Sequence, residues 1–288
     1  MILQFLINGI ITGILYSLSA IGFALVYNTT RVFHIAAAAL YVVAAYIFLA
    51  FHDFGLPFYI SGIIAIVTTA GLSILTELMV YRPLYRRKAS LNVAMIASIG
   101  IMTIIINAIA LIFGNETKIL NKGNQQALTF DGIIITNPQI LQAGIGIISL
   151  IFFFIFLRFS NFGLKIRALS NDTTLFEISG FNVQTTRLIA YMLSGVFLAV
   201  GSCLTFYDIG IKPQAGMPVL INAMVAMIIG GIGRFRSCIV GGLMLGILQA
   251  LVVFQFSANW QNVITFLVLV LFLFFKPQGV FGYKKRMV

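Results

Sequence analysis

The sequence predicts an all-α fold, a polytopic transmembrane helical bundle of about eight to nine spans that forms one domain over residues 1–288. Of the 288 residues, 60% are hydrophobic and only 9% are charged, whereas about a quarter of the residues in a water-soluble domain are charged. Seven runs without Asp, Glu, Lys or Arg reach the roughly 20 residues that cross a hydrocarbon layer of about 30 Å. These observations exclude an ordinary soluble domain.

The charge-free runs give the spans in chain order, at residues 1–30, 54–76, 89–115, 132–157, 188–207, 213–233 and 237–275. No Lys or Arg precedes Arg31, so the first run lacks the basic region of a signal peptide and is interpreted as a retained span. An eighth stretch, 32–52, is interrupted only by His34 and His52. The last run is long enough to cross twice, and polar residues at 255–259 before Trp260 predict its break.

The distribution of cations predicts the orientation, because loop cations stay on the cytoplasmic side. Fifteen of the 18 Lys and Arg residues fall in short clusters that alternate with the other loops, which places the N-terminus outside and the C-terminus inside. Residues 158–187 are then a cytoplasmic loop and 115–139 an external one. Stretches 32–51 and 216–233 are short and rich in small residues, which favours broken or re-entrant helices. Re-entry of either one would change the span count and the side of the N-terminus.

The external loop is the only sizeable connection on its side of the predicted membrane. Asp131-Gly132, followed by the β-branched stretch 133–136, predicts a small hairpin. Two interpretations stay open for the loop: a solvated connector, or a docking surface for an external partner.

Gly-xxx-Gly spacing occurs at Gly9/Gly13 and again at Gly242/Gly246. Missing side chains let helix backbones approach closely. We expect these glycines to mark helix crossings within the bundle rather than a dimer interface.

The sequence gives little support to an enzyme. No Gly is followed by Lys, which excludes a standard P-loop for ATP, and the two His and two Cys residues lack metal-ligand spacing. The +11 net charge is split into short clusters between apolar runs and predicts no nucleic-acid surface. Glu77 is the only acid within a hydrophobic run, and a boundary position beside a nearby Arg is expected for it. Any energy for transport must therefore come from elsewhere, or the transport is passive.

The segment 161–187 predicts a short cytoplasmic helix near 172–179. Asn171, Asp172 and Thr173 are candidate N-caps, Thr174 to Glu177 has capping-box spacing, and a glycine at 180 can end the helix. Such a helix would present an apolar surface made of Leu175, Phe176 and Ile178. A two-turn helix needs something to pack on, either this protein's own membrane face or another subunit.

Several motifs together resemble one family of membrane proteins. They are Lys165-Ile166-Arg167-Ala168 with Asn171-Asp172-Thr173-Thr174 and Ser179-Gly180-Phe181-Asn182, the glycine-rich stretches 227–233 and 241–246, residues 275–282, and the start from Ile7 to Tyr27. This ordered set is similar to permease subunits of branched-chain amino acid ABC transporters, and to the smaller of their two homologous permeases.

The resemblance implies a multi-pass subunit of the cytoplasmic (inner) membrane of a prokaryote that forms half of a translocation pathway through the lipid bilayer. The implied partners are a homologous second permease, two cytoplasmic ATPase subunits and an extracytoplasmic solute-binding protein. ATP would bind the partner subunits, and this chain would bind no cofactor, hold no metal and carry no catalytic residue. The residues expected to contact the ATPase are Arg167, Asp172, Thr173, Leu175, Phe176, Glu177 and Gly180.

The sequence departs from the family pattern near the second span. Relatives often carry Asn-Phe-Ala-His-Gly, where this chain has His34 in place of the Asn and Ala37-Ala38 in place of the His-Gly. Uncharged polar residues inside spans are the candidates for lining the translocation pathway: His34, Tyr41, Asn107 and Asn222. Each is equally compatible with a hydrogen bond between helices.

The expected cargo is a branched-chain or other small apolar amino acid. The departure at 34–39 leaves open a urea or short-amide importer of the same permease group. A self-contained passive channel is an alternative of another class, and a structural membrane scaffold is disfavoured by the ordered motifs.

Overall fold

The computed structural model describes residues 2–120, 127–130, 133–276 and 278–281. The first helices are α1 (Ile2–Thr30), α2 (Ala37–Asp53), α3 (Phe58–Thr76), α4 (Arg82–Arg86) and α5 (Leu91–Phe113), with a π-helical turn, Glu77–Tyr81, joining α3 to α4. After the hairpin of β1 (Ala127–Phe130) and β2 (Ile133–Thr136) come α6 (Asn137–Phe159), α7 (Asn161–Asn171), α8 (Thr173–Ile178) and α9 (Val183–Ile209). Helices α10 (Gly216–Gly230), α11 (Ser237–Gln255) and α12 (Gln261–Phe275) complete the bundle.

The predicted membrane bundle is confirmed. Among the described residues, eight helical segments are long and apolar enough to span a membrane, and α2 is a shorter apolar helix of 17 residues. The two stretches expected to be broken or re-entrant form short helices: α2 follows an irregular segment at 31–36, and α10 has 15 residues. Their re-entry stays a prediction. The break in the last run falls at 256–260, between α11 and α12.

The predicted hairpin is present as an antiparallel pair in which Ala127 faces Thr136 and Phe130 faces Ile133. Its proposed turn, Asp131-Gly132, lies outside the described residues. Helix α6 begins directly after β2, with Thr136 and Gln139 forming a capping box.

The two ends of the bundle differ in charge. At one end Arg31 donates to the Ser170 carbonyl at 3.0 Å and Arg82 donates to Gln184 at 2.7 Å. We call this the cationic end, because most of the described Lys and Arg residues belong to the helix ends and loops that meet there. At the opposite end, called the distal end, the backbone of Lys118 pairs with that of Ile211. The positive-inside rule assigns the cationic end to the cytoplasm.

Helix α1 forms the centre of the bundle and packs on α9, α10 and α11. The two Gly-xxx-Gly pairs face each other across the crossing of α1 and α11. A Cβ atom on Gly13 would lie 2.9 Å from the Leu243 Cα, and one on Gly246 would lie 2.5 Å from the Gly13 Cα. The expectation of a helix crossing within the bundle is confirmed.

Glu77 lies in the π-helical turn that leads directly into Arg82, and Arg187 and Arg82 are its nearest charged neighbours. It is more buried than the sequence indicated, with 3% of its surface exposed. Its Oε2 atom has no hydrogen-bond partner among the described residues. The sequence did not indicate the cluster of buried tyrosines that surrounds this region, which includes Tyr81 and Tyr191.

Candidate functional site

A polar cavity of about 390 Å³ penetrates the bundle from the distal end. Its lining comes from α1, α2, α6, α9, α10 and α12, so the cavity lies within this single chain. Two charged residues, Asp208 and Lys212, line it where α9 ends, and Gln142 Nε2 donates to Asp208 at 3.3 Å. The deeper polar lining is uncharged and includes Asn8, Thr12, Tyr16, Ser19, Tyr41 and Asn222.

Tyr41 closes the inner side of the cavity. Its ring is buried, its hydroxyl lies 3.4 Å from the Gly201 carbonyl, and its own carbonyl accepts a hydrogen bond from Ser202. The next void toward the cationic end, between Ala38, Tyr41 and Leu198, holds only about 10 Å³. That volume is about the minimum that holds one water molecule, so the space past Tyr41 is narrow.

Asn222 belongs to a buried hydrogen-bond network beside the cavity. Gln249 lies at its centre: its Oε1 accepts from the Tyr16 hydroxyl at 2.8 Å, and its Nε2 lies 2.6 Å from the Thr265 Oγ1 and 3.3 Å from the Asn222 Oδ1. The network joins α1, α10, α11 and α12. Sequence analysis missed Gln249 and Thr265, although each was visible as a polar residue within an apolar run.

The other two predicted pathway residues lie elsewhere. His34 is fully buried, with Nδ1 2.8 Å from the Tyr81 hydroxyl, which in turn donates to Ser98 at 2.7 Å. Asn107 is exposed on α5, where its amide donates to the Thr103 carbonyl at 2.8 Å. The structure therefore brings Tyr41 and Asn222 to one cavity and leaves His34 and Asn107 outside it.

The predicted cytoplasmic helix is α8, which protrudes at the cationic end. Of the three candidate N-caps the chain uses Asp172, whose carboxylate accepts from the backbone N–H of Thr174 at 2.8 Å and of Leu175 at 3.0 Å. Gly180 follows the helix with a φ of +79°, a conformation that glycine adopts without strain.

The exposed face of α8 differs from the expected one. Leu175 and Ile178 are 63% and 78% exposed, whereas Phe176 is only 3% exposed and packs against Leu169 and Val183. Phe176 is therefore an anchor and not part of the apolar surface, because a six-residue helix that rests on its neighbours must turn one side inward.

The remaining residues expected to contact the ATPase, here called the coupling set, lie on α8 or on the helix before it. Thr173 and Glu177 are exposed on the helix itself. Arg167 lies on α7, half-buried, and lines a pocket formed with residues 233–237.

Comparison with known proteins agrees with this architecture. Residues 5–273 match the family described as branched-chain amino acid transport system / permease component. The chain belongs to this family. The match extends from the first helix into α12, so it covers the polar cavity, α8 and the glycine crossing, and it confirms the resemblance that the motifs indicated.

Two bacterial relatives of this permease family match over nearly their whole length. The high-affinity branched-chain amino acid transport system permease protein BraD of Pseudomonas aeruginosa is 27% identical over 97% of this chain and 95% of its own. The corresponding protein LivH of Escherichia coli is 27% identical with the same coverage. Among solved structures, PsaBC from Streptococcus pneumoniae in complex with Fab matches with a TM-score of 0.55 at 17% identity, over 96% of this chain and 92% of that one. That likeness shows a shared fold.

Proposed function

We propose that this permease subunit works in the inner membrane of a prokaryote, imports branched-chain or other small apolar amino acids, and is driven by ATPase subunits that it contacts through α8. The substrate class follows the names of BraD and LivH. The remaining partners of the proposal are a second permease and an extracytoplasmic solute-binding protein.

The exposed surface of α8 carries the proposal. Leu175 and Ile178 protrude from the cationic end on a helix that is too short to be stable alone. Phe176 anchors the helix from below and Asp172 caps it, so its exposed side is held rigidly in place. An exposed apolar surface of this kind suits a groove in a partner protein.

The other residues of the coupling set contribute by position. Thr173 and Glu177 flank the apolar pair on the exposed side, Gly180 fixes the exit of the chain toward α9, and Arg167 belongs to the supporting helix α7. A movement of the partner that pushes on Ile178 would reach α9 directly, since only residues 179–182 separate α8 from that long buried helix.

The polar cavity is the proposed entrance of the pathway. Apart from Asp208 and Lys212 where α9 ends, its polar lining is uncharged and can hydrate a small solute without binding it tightly, which suits a path that releases its cargo. Tyr41 is then the inner barrier and Asn222 a lining residue held by its network. His34 contributes indirectly by fixing the segment that precedes α2, and Asn107 lies on an outer face that a second permease would have to cover.

The test is a substitution on the exposed face of α8. Ile178→Asp should leave membrane insertion intact, because the side chain is 78% exposed, and should abolish ATP-driven uptake in proteoliposomes that contain the complete transporter. Ile178→Leu is the matched control and should transport normally. Phe176→Asp should also uncouple ATP hydrolysis from uptake, but by releasing the helix. Normal uptake by Ile178→Asp would refute α8 as the coupling element.

Two further measurements separate the alternative functions. Competition between leucine and urea for uptake distinguishes an amino-acid importer from a urea importer. Co-purification of ATPase subunits in mild detergent, together with loss of flux on ATP depletion, distinguishes an ATP-driven importer from a passive channel.

A further inference from the structure

A second pocket, of about 620 Å³, lies at the cationic end and shares only Arg167 with the residues expected to contact the ATPase. Its walls are the last turns of α6 and α7, the loop after α10 and the first turn of α11. Three arginines line it, Arg167, Arg234 and Arg236, and none of the described residues in its lining is acidic. We call it the arginine pocket.

Two of the three arginines have distinct surroundings. The Arg236 guanidinium stacks over the ring of Phe154 with 4.4 Å between its central carbon and the ring centroid, which restricts its direction. The Arg167 Nε atom is enclosed and has no hydrogen-bond partner among the described residues. An enclosed guanidinium donor without an acceptor is costly, and a bound anion would satisfy it.

The chemistry of the pocket favours a phosphate group. Guanidinium groups present their N–H donors in a planar fork that matches phosphate oxygens in pairs. A cluster of arginines in a recess of this size therefore suits one phosphate with room for its substituents.

The position of the pocket shows where that phosphate would come from. Leu157 and Val240, which line it, belong to the membrane-spanning helices α6 and α11. Near the same end of α6, Phe152 and Phe159 are 62% and 74% exposed, as expected for a helix that contacts lipid. Basic pockets between spans at the cytoplasmic side are suited to anionic lipid headgroups.

We propose that the arginine pocket binds the phosphate headgroup of an anionic phospholipid from the cytoplasmic leaflet, with the acyl chains lying along the outer face of α6. Such a lipid connects α7, which leads into α8, with the first turn of α11. The bound lipid would thereby stabilise the position of α7, on which α8 packs.

The experiment uses the full chain purified in mild detergent and native mass spectrometry with two probes, phosphatidylglycerol and phosphatidylcholine. Wild type should retain phosphatidylglycerol in preference to phosphatidylcholine. The double variant Arg167→Gln/Arg236→Gln should bind phosphatidylglycerol roughly 30-fold more weakly, which is the loss expected for two cations near a membrane surface. Lys88→Gln is the control, because Lys88 is an exposed cation of the cationic end that lines neither the pocket nor the face of α6, and it should bind like wild type.

Further arms identify the ligand. Arg167→Lys/Arg236→Lys preserves the charge and should retain most of the binding, which separates a charge effect from misfolding. Equal retention of both lipids by wild type, or undiminished phosphatidylglycerol on the double glutamine variant, overturns the proposal. Binding of inorganic phosphate with the same stoichiometry in the absence of lipid would also overturn it. Loss of a co-purifying subunit from the double variant, while its lipid remains bound, would overturn it as well.

Discussion

Adding one methyl group at the crossing of α1 and α11, by Gly246→Ala, should lower the stability of the bundle. A Cβ atom on Gly246 would lie 2.5 Å from both the Cα and the N of Gly13, and these are backbone atoms that cannot rotate away. Ordinary carbon contacts begin near 3.5 Å, so Gly246→Ala must separate the two helices by about 1 Å. Overpacking of this kind costs roughly 1–3 kcal/mol.

The helix preference of alanine works in the opposite direction and must be measured separately. Gly100 on α5 supplies the control, since a Cβ atom there would meet nothing within 4 Å. Both substitutions gain about the same 1 kcal/mol of helix propensity. The difference between Gly246→Ala and Gly100→Ala therefore isolates the cost of the crossing.

The assay is thermal unfolding of the purified full chain in one detergent, followed by the fluorescence of its single tryptophan, Trp260. A difference of 1–3 kcal/mol corresponds to roughly 2–12 °C between the two variants for a chain of this size. If Gly246→Ala unfolds at the same temperature as Gly100→Ala, the two backbones are not in contact and the assignment of the glycine pairs to an internal crossing fails.

Two further predictions concern polar groups. Gln249→Leu removes three hydrogen bonds, including those to Tyr16 and Thr265. At about 0.6 kcal/mol for each bond between membrane helices, the free energy of unfolding should fall by about 2 kcal/mol in the same assay. An unchanged free energy of unfolding would contradict the network. Asp172→Ala removes the N-cap of α8 at a cost of about 1 kcal/mol and should speed amide hydrogen exchange in that helix several-fold. Asp172→Asn should keep the cap and the protection. Equal exchange rates in wild type and both variants would contradict the cap.

The parts of the fold that could be predicted from the sequence are those that depend on local signals. Charge-free runs located the spans because lipid excludes charge over a fixed thickness. The break before Trp260 and the hairpin were encoded by a few adjacent polar or turn-forming residues. The glycine pairs predicted a crossing, although nothing local showed that each pair would meet the other.

The orientation of individual side chains was much less predictable. Three apolar residues in the six of α8 leave no clean polar side, so only the positions of Leu169 and Val183 on neighbouring helices decide that Phe176 turns inward. Asn107 likewise lies on a helix that is apolar all round, and its amide is satisfied by a carbonyl of its own helix at Thr103. In such helices composition specifies burial in the membrane but not which face meets protein.

The departure from the family pattern at residues 34–39 has a different meaning once its surroundings are known. His34 bonds to Tyr81, away from the polar cavity, and the small residues that follow serve packing: a Cβ atom on Gly216 would collide with the Ala38 carbonyl. Ala37 and Ala38 line the small void past Tyr41 but not the polar cavity, so the loss of polarity leaves the lining of that cavity unchanged. Apart from Tyr41 on α2, its polar groups come from other helices, with Asn8 on α1, Gln142 on α6 and Asn222 on α10. Substitutions at those polar residues should consequently alter uptake by the proposed importer more than a substitution at His34.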